Sequence, residues 1–79
     1  MTDVKLSPGE EALIASIIEH VYPDPKAGSV LPVEPGEHRA ALGLERKGLV
    51  TLNVETDGVE QMTFTALGQQ IYEQRLAAA

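Results

Sequence analysis

Apolar residues at Leu13, Ile14, Ile17, Ile18 and Val21 fall on one face of a 3.6-residue period, while Glu11, Ser16, Glu19 and His20 fall largely on the other. The start of this helix is written into the residues before it. Ser7 is a good N-cap, Pro8 occupies the first helical position, and Glu10 follows the cap by three residues, which completes a capping box. Pro23 should stop the helix at about Tyr22. Upstream, Val4 and Leu6 alternate with Asp3 and Lys5, a pattern that predicts a short strand.

The pattern changes over residues 23–36, which hold four of the five prolines together with Gly28 and Gly36. Residues 29–34 suit an extended edge segment, because Pro32 has no N–H to give to a sheet ladder. A connection of this length is long for a structureless loop. Val30, Leu31 and Val33 are therefore expected to order it against the core. A second helix follows, with Ala40, Ala41 and Leu44 as its buried stripe. Gly48 stands where a left-handed C-cap is expected, and Arg46 and Lys47 lie in the last turn, favourably placed against the helix dipole.

Residues 49–54 and 60–65 alternate as two strands around a turn at Thr56, Asp57 and Gly58. Burial decides the register. A two-residue Asp-Gly loop sets Val54 against Gln61 and Leu52 against Thr63, mixing apolar with polar. A three-residue loop, with Gly58 at positive φ, sets Leu52 against Met62 and Val50 against Phe64; a five-residue loop has the same parity. The three-residue loop is preferred, with Thr51, Asn53, Gln61 and Thr63 on the other face. Thr65 then caps a last helix whose apolar stripe is Leu67, Ile71, Tyr72 and Leu76, and residues 77–79 are expected to fray.

These elements predict an α+β chain, with helices packed on a β-hairpin wing and a third short strand as an option. Residues 1–79 are expected to be a single domain. The segment Leu44, Glu45, Arg46, Lys47, Gly48, Leu49, Val50 looks like the end of a recognition helix entering a first wing strand. Phe64, Thr65, Ala66, Leu67 and Gly68 look like the opening of the helix after a wing. This pairing resembles small winged-helix regulators of the MarR and PadR kinds over residues 36–76. A helix-turn-helix also needs a positioning helix before the recognition helix. Here the proline-rich stretch takes that place, so the positioning helix is either a single turn or absent.

Composition narrows the function more than it defines it. There is no cysteine, which excludes disulfides and thiolate metal sites and suits a cytoplasmic location. No apolar run approaches the roughly 20 residues that span a bilayer, and no signal peptide is visible at the N-terminus. Twelve carboxylates against six Lys and Arg leave a net charge of −6, which repels DNA phosphates and anionic lipid. His20 and His38 lack a second histidine or a cysteine at ligand spacing, so no metal or other cofactor is expected. Glu10, Glu11 and Glu19 form no paired-carboxylate constellation, and Ser7, Ser16 and Ser29 have no recognisable base, so no catalytic residue is assigned.

Two sets of residues remain as candidates. The resemblance makes His38, Arg39, Arg46 and Lys47 candidate DNA contacts, with Arg39 reaching base edges and Arg46 or Lys47 reaching phosphate; the plainer reading is a solvated helix face. Glu55, Asp57 and Glu60 make an acidic wing, where a wing on DNA needs Lys or Arg. Such a wing suits a basic protein surface, or serves solubility and edge protection alone. Tyr22 and Tyr72 are either anchors for a partner or core residues. The expected function is a non-enzymatic winged-helix module, either a protein-interaction adaptor or a phage-type antagonist with an acidic surface. The alternative is a DNA-binding regulator acting as a homodimer.

Overall fold

The computed structural model describes residues 4–20 and 24–78. They form three α-helices and a three-stranded antiparallel sheet, in the order α1 (Pro8–His20), β1 (Val30–Pro32), α2 (His38–Arg46), β2 (Val50–Val54), β3 (Glu60–Phe64) and α3 (Ala66–Ala78). The sheet order is β1-β3-β2. This is a small α+β arrangement, a β-hairpin plus a third strand, and it is compatible with a winged-helix-like fold.

The capping box at the head of α1 forms as the sequence implies. The Ser7 amide donates to Glu10 Oε1 at 2.9 Å and the Glu10 amide donates to Ser7 Oγ at 3.3 Å. Leu13, Ile14 and Ile17 are buried and Ile18 packs at the edge of the core. The expected contribution of Val21 and the helix end near Tyr22 lie outside the described residues. Val4 and Leu6 form no strand: they pack as irregular chain against the core, so their alternation marks burial without a ladder partner.

The proline-rich stretch is ordered in two parts. Its second part is the edge strand β1, with Leu31 opposite Met62 and Pro32 opposite Gln61. Pro32 sits there at no cost because an edge residue whose N–H would face solvent loses no ladder bond. Val33 is buried and Leu31 partly so, whereas Val30 is exposed. Its first part is a turn at Lys26–Ser29 that lies along α3. Tyr72 donates to Asp24 at 2.6 Å, the Ala27 amide donates to Gln69 at 2.8 Å, and Lys26 pairs with Glu73 at 3.4 Å. Positions 69, 72 and 73 share one helix face, so a single face of α3 holds the whole turn.

A single 3₁₀ turn, Pro35–Glu37, runs directly into α2. Between β1 and α2 it is the only helical turn, so no separate positioning helix is present there. At the other end of α2, Gly48 adopts φ +84°. Its amide donates to Glu45 O and the Leu49 amide donates to Leu44 O, both at 3.0 Å, the double bond of a Schellman cap. The cap delivers Leu49 and Val50 into the core.

The hairpin has the register that burial favours: Val50 pairs with Phe64 and Leu52 with Met62. Glu55 closes the turn, donating to Val59 O at 3.0 Å and accepting from the Gly58 amide at 2.9 Å. Thr56, Asp57 and Gly58 are thus a three-residue loop, with Gly58 at φ +86°. On the free edge of β2, the Leu52 amide is capped by Glu45 Oε2 at 2.8 Å.

Thr65 caps α3 by accepting from the Gly68 amide at 3.0 Å, while its hydroxyl reaches Gly48 O at 2.6 Å. A Cβ on Gly68 would stand 2.0 Å from Leu49 O, so only glycine lets α3 lie this close to the start of β2. Ile71 and Tyr72 are fully buried, and Tyr72 meets Phe64 edge-on with centroids 6.1 Å apart. Two expectations for α3 need correction. Leu76 is 37% exposed, since the stripe passes beyond the core before it is reached. Ala77 and Ala78 remain helical because alanine is the best helix former; Ala79 lies outside the described residues.

Candidate functional site

The four bases of α2 and its cap divide into two pairs. His38 starts the helix and its Nδ1 lies 2.7 Å from Glu60 Oε1. Lys47 turns back across the helix and pairs with Glu10 of the α1 capping box. Arg39 and Arg46 are exposed and make no ion pair among the described residues. Seven residues apart, they stand about two turns from each other on one face. They border a cleft of about 620 Å³ between the first turn of α1 and α2.

Glu10 is the one buried charged residue among those described, 6% exposed. Gly43 makes room for it: a Cβ there would lie 1.9 Å from Glu10 Oε2. Burial works against its ionisation, but the Lys47 ammonium and the Ser7 amide and hydroxyl outweigh burial and hold the carboxyl below its ordinary range. The pair therefore ties α1 to α2, and Lys47 is turned away from any partner in front of the helix. Tyr72 is also a structural residue. Burial and the neighbouring Asp24 push its hydroxyl up to about 12, and that hydroxyl donates to Asp24. Tyr22 lies outside the described residues.

The acidic wing divides as well. Glu55 and Asp57 are exposed at the tip, where Asp57 Oδ1 also accepts the Val59 amide at 3.0 Å. Glu60 is the first residue of β3, opposite Val54 on the inner face, and is turned towards His38. The three carboxylates are close together along the chain. The pleat separates them, since Glu60 shares its face with Met62 and Phe64.

Two residues of the wing were not singled out from the sequence. Val54 is 61% exposed and Val59 45% exposed. Val54 continues the inner face of Val50 and Leu52, but the hairpin projects past the core there, leaving the side chain uncovered. The signal in the sequence is a valine on each side of an otherwise polar turn. Beneath this overhang runs a groove of about 580 Å³ whose opposite wall is Pro32, Val33 and Pro35, with the His38–Glu60 pair at its end. A further groove of about 470 Å³ lies between α1 and α3 beside Ile14, Ile18 and Arg75. Arg75 spans it with a bidentate contact to Glu11 at 2.9 and 3.1 Å.

Among the described residues no three His, Asp or Glu side chains converge as a metal site, and no helix is long and apolar enough to cross a membrane. Comparison of the chain with protein-family models, with curated proteins and with solved structures gives no match.

Proposed function

We propose that this chain is a non-enzymatic winged-helix module that binds another protein through its hairpin. The observation that carries this reading is the composition of the tip, where two exposed valines stand among Glu55 and Asp57 with no base. Exposed aliphatic side chains ringed by charge suit a protein partner, whereas a wing on phosphate needs cations. The fate of the α2 bases supports the same reading. Two of the four are held by carboxylates of the chain itself, so neither is free to release counterions from a duplex. A net charge of −6 steers the module towards a basic surface.

One observation favours a second reading, a DNA-binding regulator that acts as a homodimer: Arg39 and Arg46 remain exposed on one side of α2. Titration with random-sequence duplex DNA at low salt separates the two. We expect no binding below micromolar concentrations. Sub-micromolar binding that Arg39→Ala and Arg46→Ala both weaken would overturn the protein-partner reading. The positive arm is photo-crosslinking from a probe at position 57 in the source cell. A protein adduct that is lost on Glu55→Lys/Asp57→Lys is the expected result.

A further inference from the structure

The groove under the hairpin has a shape and a charge that specify what it takes. Its walls are aliphatic: Val54 and Val59 on the wing side, Pro32 and Pro35 on the side of β1 and the 3₁₀ turn. Its rim is acidic. Glu34 and Glu60 line it, and Glu55 and Asp57 are exposed on the adjoining turn. The single basic group in the lining, His38, is already against Glu60. A groove of this kind rewards an aliphatic side chain with burial and flanking cations with ion pairs, and it repels acidic segments.

We infer that this groove receives a segment of a partner protein that carries an aliphatic side chain flanked by Lys or Arg. The aliphatic group fits between Val54, Val59 and the two prolines, and the cations meet Glu34 and the tip carboxylates. The walls are well held for this purpose. Val33 beside Pro32 is buried, its amide donates to Glu60 O at 2.9 Å, and the His38–Glu60 contact joins α2 to β3. The apolar surface is thus maintained in the unbound chain, which lowers the ordering cost of binding. The inference rests on the reading of the hairpin as a protein-binding element and adds where the partner sits and what its chemistry is.

Three short synthetic peptides, with cores Lys-Leu-Lys, Lys-Ser-Lys and Glu-Leu-Glu in a glycine-serine frame, test it by amide-shift titration of the isotope-labelled chain. The Lys-Leu-Lys peptide is expected to bind roughly tenfold or more tightly than Lys-Ser-Lys, because burying one leucine is worth at least that ratio. Its shifts should centre on Val33, Val54, Val59 and Glu60, and Glu-Leu-Glu should not bind. Val54→Ser and Val59→Ser should each weaken Lys-Leu-Lys several-fold while leaving the melting curve in place, since both side chains are exposed. Equal binding of Lys-Leu-Lys and Lys-Ser-Lys, untouched by Val54→Ser, overturns the groove and leaves the acidic hairpin as a protein-binding surface. Shifts on Arg39 and Arg46 with Glu-Leu-Glu, or no shift with any peptide at millimolar concentration, also overturn the groove, while the crosslink from position 57 separately decides the wider reading.

Discussion

Glu10 shows how one residue acquires three tasks. It closes the capping box of α1, it accepts the Lys47 ammonium, and it fills the space that Gly43 leaves on α2. Its carboxyl is held below the ordinary value of 4.5, so the charged form is favoured by the fold. A depressed folded pKa contributes stability that is present above the unfolded value and is lost as pH falls through the folded one. Glu10→Gln should therefore cost about 1.5–3 kcal/mol at neutral pH, the range for hydrogen bonds to a charged group. The gap between variant and native chain should close as pH drops below about 4.5. Urea unfolding at several pH values measures it, and a gap that is constant with pH would show that the carboxylate's charge is not what matters. The capping role could be read from the sequence, because a box needs only residues three apart. The Lys47 partner could not, because it lies 37 residues away and depends on how α1 crosses α2.

At the scale of elements, the hairpin was the most readable part. Alternation ties side chains to faces, so burying Val50, Leu52, Met62 and Phe64 together leaves one parity, and Gly58 marks the position of positive φ. If this face is the core, Phe64→Ala should destabilise the chain by about 3 kcal/mol, seen as a lower urea midpoint with an unchanged slope. An effect under about 0.5 kcal/mol would place Phe64 at the surface. Less could be read where chain direction alone does not set the contact. The turn at Lys26–Ser29 is held by Tyr72, Gln69 and Glu73, and nothing local to the turn announces them. The site was half readable for the same reason. Arg39 and Arg46 share a face by helical period and stay exposed. Glu60 left the acidic wing because the pleat, not sequence proximity, decides which way it points. The groove could not be seen at all, since Pro32 and Val59 meet only after β1 joins β3.

Across the whole molecule, twelve carboxylates are set against six Lys and Arg. Among the described residues the ion pairs engage Glu10, Glu11, Glu60 and Glu73, and the net charge of −6 leaves an excess of negative charge that repels itself. Added salt should screen that repulsion more than it weakens the few pairs. A gain of about 0.5 kcal/mol would raise the melting temperature by about 2–4 °C in a domain of this size. A fall in melting temperature on adding sodium chloride would mean that the pairs dominate. The placement of Tyr72 carries a consequence for how the chain reaches its shape in the cell. Ile71 and Tyr72, both fully buried, come from α3, and Tyr72 also bonds Asp24, 48 residues before it. A ribosome releases the chain from its N-terminus, so α1, β1 and the hairpin emerge while their apolar faces still lack α3. The core can close only once α3 has cleared the exit tunnel and brought Ile71 and Tyr72 to it.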